Sequence, residues 1–68
     1  MKFLITGGAG FIGSNIASEL LNKGYSVRIL DNFSSGKREN LKGMEKDIEL
    51  VEGDIRSYHI VQHSLKDI

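Results

Sequence analysis

Two features in the first half of the chain have types and spacing suited to chemistry. One is a set of glycines, Gly8-x-Gly10-x-x-Gly13; the other is an acid, Asp31. Glycines let the chain reverse with dihedrals that a side chain resists. Gly10, lacking a Cβ, lets a pyrophosphate approach the backbone, and Gly13 lets a helix pack close to the preceding strand. The first-turn amides of such a helix lack internal partners and lie at the positive end of its dipole, so anionic phosphate is favoured there. The chemistry implied is the holding of a dinucleotide. The motif alone is weak evidence; it gains weight only between a strand and a helix.

That context is present. Phe3, Leu4 and Ile5 form a short apolar run, read as a buried parallel strand over residues 2–6. Thr6, at its end, fits either a turn hydroxyl or a ligand contact. From Phe11 or Ile12 to about Lys23, the spacing of Ile12, Ile16 and Leu20, with Ala17 and Leu21, predicts a helix. Those residues are expected to face the sheet, and Ser14, Asn15, Ser18, Glu19 and Asn22 to face away. Gly24 stops the helix. Tyr25–Leu30 reads as a second strand, completing a βαβ unit of the right-handed parallel kind.

Asp31 follows that strand directly, at about the 20-residue distance at which such units place a ribose-binding acid. A carboxylate there accepts hydrogen bonds from adenosine ribose hydroxyls and repels a 2′-phosphate, which selects NAD over NADP. The competing reading is a turn or capping residue. Lys37 and Arg38 lie close enough in sequence to neutralise a 2′-phosphate, but in a polar loop they read as solvated.

The remainder is shorter of signal. Residues 32–40 are polar and read as a loop able to line the ribose and adenine side. Leu41–Asp47 is expected to hold a helical turn, weakened by Gly43. Ile48–Val51 reads as a third strand, ended by Glu52-Gly53-Asp54. Ser57 is the expected N-cap of a last helix, with Ile60, Val61, Ser64, Leu65 and Ile68 as its apolar stripe. The fold class is therefore α/β: part of a doubly wound parallel sheet of about three strands, in the order β-α-β-(α)-β-α.

Composition bounds the function. The 68 residues make at most one small domain, and chains this short are marginally stable without staples. There is no cysteine, and nine basic residues balance nine acidic ones, so nothing points to nucleic acid or a membrane surface. No run reaches the roughly 20 apolar residues of a membrane span. The start lacks the features of a signal peptide, which points to a cytoplasmic protein. His59 and His63 stand four apart on the last helix, but no third ligand accompanies them, and they read as exposed helix residues rather than a metal site. No G-x-x-x-x-G-K-[ST] is present, which rules out that nucleoside-triphosphate loop.

Three blocks in register give a more specific reading: Thr6-Gly7-Gly8-Ala9-Gly10-Phe11-Ile12-Gly13, Asp31-Asn32-Phe33-Ser34-Ser35-Gly36 with Asn40-Leu41 after it, and Gly53-Asp54-Ile55-Arg56. The chain resembles the extended short-chain dehydrogenase/reductase family, whose loop reads T-G-x-x-G-x-x-G, and within it the NAD-dependent nucleotide-sugar epimerases and dehydratases, notably of the UDP-glucose 4-epimerase type. The resemblance implies a Rossmann-type fold. It assigns Gly7, Gly10 and Gly13 to the pyrophosphate loop, with the Phe11 and Ile12 amides against the phosphates. Asp31 would hold the adenosine ribose; Asn32, Phe33, Ser34, Ser35 and Gly36 would wrap it. Asp54 and Ile55 would meet the adenine, a role that rests on resemblance alone.

The family's catalytic Tyr-x-x-x-Lys is absent: Ile29 follows Tyr25 and Gln62 follows Tyr58 at that distance. The 68 residues thus read as a partial NAD-binding domain, the N-terminal portion of a longer enzyme, without catalysis of its own. In the longer parent, the resemblance implies an NAD-dependent oxidation–reduction cycle at a sugar hydroxyl of a nucleotide sugar. A dehydratase or a UDP-glucuronate decarboxylase shares this half, and a non-catalytic dinucleotide-binding module is the reading from another class. A sheet this small leaves edges uncovered, so self-association through them or marginal stability is expected.

Overall fold

The computed structural model describes residues 1–34 and 36–68. Three strands, β1 (Lys2–Thr6), β2 (Ser26–Asp31) and β3 (Ile48–Glu52), form one parallel sheet in the order β1-β2-β3. Phe3 lies opposite Val27 and Ile5 opposite Ile29, while Ile29 also faces Leu50 across β3. The ladder runs past the strand ends, because the Gly7 amide donates to the Leu30 carbonyl at 2.8 Å and the Gly53 amide to the Asp31 carbonyl at 3.1 Å. These two bonds bring the segments after β1 and β3 to the end of β2.

Helix α1 (Phe11–Asn22) connects β1 to β2, and a 3₁₀ turn (Arg38–Leu41) lies between β2 and β3. Val27 and Ile29 of β2 are buried in a core with Ala9, Ala17 and Leu41, and Leu20, Leu21, Phe33 and Met44 pack around it. Full burial of a side chain such as Ile29 contributes about 1.5–3 kcal/mol. Strand alternation sends Arg28 to the other face. There its guanidinium donates to the carbonyls of Ser64 (2.9 Å) and Lys66 (2.6 Å), at the end of α2 (Tyr58–Ser64), and to the Glu49 carboxylate. Helices therefore cover both faces, the Rossmann-type arrangement expected.

Three details differ from expectation. On α1, Ala17, Leu20 and Leu21 pack against the core as expected and Ser14 is buried with them, whereas Ile12 is 74% and Ile16 49% exposed. The cause is close approach: a Cβ on Gly13 would lie 2.5 Å from the Gly7 carbonyl oxygen and 2.9 Å from the Gly8 Cα. Only small residues fit at that distance, so over the first turns of α1 the large apolar ones, Ile12 and Ile16, are displaced to the flank, and Leu20 and Leu21 reach the core further along. The helical turn expected over Leu41–Asp47 lies earlier, at Arg38–Leu41, and Gly43, at φ +93°, adopts a conformation that a right-handed helix excludes. On α2, Ser57 does cap the helix, its Oγ accepting from the Ile60 amide. Ile60, Val61 and Ser64 turn inward, but Leu65 and Ile68 remain exposed beyond the helix end.

Candidate functional site

The three strand ends meet at a cavity of about 270 Å³, lined by Thr6, Gly7 and Gly10 on one side, by Leu30, Asp31, Asn32 and Gly36 on another, and by Gly53 and Ile55. It lies outside the carboxyl ends of parallel strands, where open α/β sheets bind ligands. Each wall has a local cause. Gly7 turns the chain off β1 in the left-handed region, at φ +69°. Gly10 then begins α1, its amide donating to the Gly7 carbonyl at 3.0 Å while its own carbonyl accepts from the Ser14 amide at 2.9 Å. Among the described residues, the amides of Phe11, Ile12 and Gly13 have no backbone partner, as the start of a helix requires. An anion held there would meet free N–H groups.

Asp31 is 7% exposed, and each of its carboxylate oxygens accepts a backbone amide: Oδ2 from Ala9 at 2.9 Å and Oδ1 from Phe33 at 2.7 Å. The second bond is the turn-type contact weighed against a ribose role; the first is long-range and ties β2 to the glycine loop. A carboxylate has about four acceptor positions, so both amides leave capacity for hydroxyl donors from the cavity side. A second turn follows, with Asn32 Oδ1 accepting from the Ser34 amide at 3.0 Å. Between them Phe33 takes φ +59°, uncommon for a bulky residue. Its ring packs on the core, with the Arg38 guanidinium 4.4 Å above its centre. Arg38 is also paired with Glu52, and both side chains remain exposed to solvent, as expected of this polar loop.

Of the residues singled out from the sequence, Gly7, Gly10, Asp31, Asn32, Gly36 and Ile55 come together around the cavity. Gly13 supports it from behind, against the Gly7–Gly8 backbone. The Phe11 and Ile12 side chains point elsewhere, into a groove along α1, so only their backbone amides face the start of the helix. Phe33 and Ser34 shape the loop, and Ser35 lies outside the described residues. Asp54 does not line the cavity. It is held by Arg56, which donates through its backbone amide and guanidinium, and this keeps the Asp54 carboxyl down at about 2. Tyr25 immediately precedes β2, at the far end of the sheet, edge-on to Phe3, and Tyr58 is exposed. His59 and His63 are exposed, and among the described residues no cluster of three or more metal-ligating side chains occurs.

Sequence reasoning quoted Asn40 only as part of the second block, without a role of its own, and passed over Arg28. Asn40 Nδ2 donates to the Ala9 carbonyl at 2.8 Å, joining the 3₁₀ turn to the glycine loop. The one signal for Arg28 was a charge inside an apolar strand.

A profile for the family described as GDP-mannose 4,6 dehydratase matches residues 4–68. The chain belongs to that family. Its sequence corresponds to the N-terminal part of the extended short-chain dehydrogenase/reductases of the NAD-dependent epimerase/dehydratase kind. It is 51% identical over 55 residues to a UDP-glucose 4-epimerase of Corynebacterium glutamicum, a match covering 81% of this chain and 16% of that protein. The UDP-glucose 4-epimerase of Thermus thermophilus, solved in complex with NAD, superposes with a TM-score of 0.82 at 44% identity, over 93% of this chain and 19% of that one. The dTDP-glucose 4,6-dehydratase of Bacillus anthracis, also solved with NAD, gives 0.86 at 34% identity, over 93% and 22%. Family members of different activity thus share this part of the fold, and the chain spans about a fifth of their length. No helix among the described residues is long and apolar enough to cross a membrane.

Proposed function

We propose that these 68 residues are the NAD-binding portion of a nucleotide-sugar epimerase of the UDP-glucose 4-epimerase type. The observation that carries this reading is the cavity, which places the turn at Gly7, the Gly10 backbone and the Asp31 carboxylate around one space at the strand ends. The residues fit the cofactor. Gly10 and the free amides of α1 would receive the pyrophosphate, Asp31 the adenosine ribose, and Ile55 the flat side of the adenine. Asn32 and Gly36 would close the ribose side, with Phe33 and Ser34 shaping the same loop. Asp54 would meet the adenine by exchanging part of its bond to Arg56. NAD bound here would supply a reversible hydride acceptor for a sugar hydroxyl in the whole enzyme.

Binding, not turnover, is what this chain's own residues support. A tyrosine acid with its lysine is absent, and Tyr25 stands at the end of β2 opposite the cavity. The nucleotide sugar, the catalytic groups and a cytoplasmic setting belong to the longer protein that this reading implies. A dehydratase or decarboxylase parent fits the same residues, as does a module that binds the dinucleotide and does no chemistry. For the chain taken alone, we propose association with a second copy through the open edge of β1 and the α1 flank beside it. Glu19 and Lys23 both line that groove, and a two-fold arrangement would pair each with the other on its partner copy.

Calorimetric titration with NAD, and separately NADP, tests the reading. The expected result is saturable NAD binding, weaker NADP binding, and loss of the NAD binding in Asp31→Ala. Absence of NAD binding by a folded chain would overturn it.

A further inference from the structure

The cavity has two walls that are distant in sequence, the glycine loop and the loop after β2, and a single residue holds them together. Ala9 is fully buried. Its amide donates to Asp31, and its carbonyl accepts from the Lys37 amide at 3.1 Å and from Asn40 Nδ2 at 2.8 Å. A carbonyl has two lone pairs, and here both are used. Between these anchors Gly36 is pressed so close that a Cβ on it would lie 2.9 Å from Asp31 Oδ2 and 3.0 Å from Ala9. Asn40 itself does not line the cavity. Its amide is nevertheless the only side-chain donor among the described residues that ties the second loop to the Ala9 carbonyl.

We infer that Asn40 is a positioning residue for the dinucleotide: by clamping the Ala9 carbonyl it fixes the gap between Gly10 and the Asp31–Gly36 wall before the ligand arrives. The inference rests on the reading that this cavity takes NAD. Lys37 alone cannot set the gap, because its amide belongs to the loop that must be held. Asn40 is anchored independently, at the 3₁₀ turn whose Leu41 is buried in the core. Beside the backbone bond from Lys37, the far end of the loop is thus tied to the glycine loop by one side-chain hydrogen bond, from Asn40 to the Ala9 carbonyl.

The test uses the 68-residue chain with Asn40→Asp, which keeps the shape and removes the donor. Amide hydrogen exchange read by NMR should show faster exchange at Ala9 and Lys37, with the amides of Ile29 and Leu30 unchanged. NAD affinity should fall about 10-fold, the scale of one hydrogen bond. Unchanged exchange at Ala9 and Lys37, or an equal rise throughout the sheet, would overturn the inference, since Asn40 would then be dispensable or merely stabilising. Should the variant not fold, the unsubstituted chain decides: the Asn40 side-chain amide protons exchange slowly if the clamp exists and at the free-amide rate if it does not. The exchange readouts need no ligand, so failure of the NAD titration by the unsubstituted chain would count against the function and leave the clamp to be judged separately.

Discussion

The two sides of the α1 N-terminus are built differently. On the cavity side, polar groups have partners and the chain is closely packed: Asp31 holds two amides, Ala9 is satisfied at both ends, and Gly13 meets backbone directly. On the flank, Phe11, Ile12 and Ile16 stand exposed along a shallow apolar groove, beside a strand edge with no neighbour. One helix serves both, and its first half is divided accordingly: small residues (Gly13, Ser14, Ala17) where it meets the sheet, and Phe11, Ile12 and Ile16 on the open flank. The first side is complete within these residues. The second has the character of a surface that another piece of protein covers, since exposed apolar patches mark interaction sites.

The sharpest way to break the comparison is to put one methyl group on the cavity side. Gly13→Ala places a Cβ against the Gly7 carbonyl oxygen and the Gly8 Cα, both backbone atoms that cannot turn aside. We expect a loss of about 3 kcal/mol, at the upper end for overpacking, which in a chain of this size amounts to unfolding. Urea denaturation followed by circular dichroism measures it. A variant that melts like the parent would mean that α1 is not seated on the glycine turn.

Asp31→Ala comes next. It strands the Ala9 amide, which is buried, and frees the Phe33 amide, at a cost of about 1–3 kcal/mol for an unsatisfied donor. NAD binding should disappear at a temperature where the variant remains folded. Asp31→Asn keeps one acceptor oxygen and is expected to retain more stability than affinity, which separates the two roles.

The division of α1 also shows how far the sequence could be read. The strand, glycine turn and helix were legible because their signals are local: an apolar run, residues without side chains, and a 3.6-residue spacing. Asp31 was legible by its place after β2. The buried face of α1 was legible only in part: Ala17, Leu20 and Leu21 pack inward as expected, but Ile12 and Ile16 obey the helical period equally well and stand exposed. The choice is made by the distance between Gly13 and the Gly7–Gly8 backbone, which exists only in three dimensions. Asn40 and Arg28 were silent for the same reason: each acts on a carbonyl 31 or more positions away. The 3₁₀ turn was misplaced because Leu41 enters the core as the end of a helical turn rather than its beginning.

On the flank, paired substitutions Ile12→Lys and Ile16→Lys should change folding stability by no more than about 0.5 kcal/mol, as exposed positions do. Their effect is expected on association. Sedimentation should show the parent self-associating as concentration rises and the double variant monomeric. A parent that stays monomeric throughout would remove the second copy as occupant of the groove, and an equal loss of stability from both substitutions would show that the flank is buried after all.

The smallest effect concerns the rim of the cavity. Arg56 bonds the Asp54 carboxylate and lowers it from 3.8 to about 2, and Lys2, then Arg28, lower Glu49 on β3. A carboxyl lowered in the folded chain contributes stability that is present above its ordinary value and is lost as pH falls toward the lowered one. The chain should therefore lose stability between about pH 4 and pH 2, modestly, because both groups are solvent-exposed and screened. Asp54→Asn should flatten the lower part of that loss, from about pH 3.8 down to about pH 2, and leave the Glu49 contribution. NMR titration of the Asp54 carboxyl reads the pair directly. Titration near 2 means that Arg56 holds the acid, so that adenine must compete for it; titration in the ordinary aspartate range means that the pair does not form, and that Asp54 stands free beside Ile55 to accept a hydrogen bond from a base.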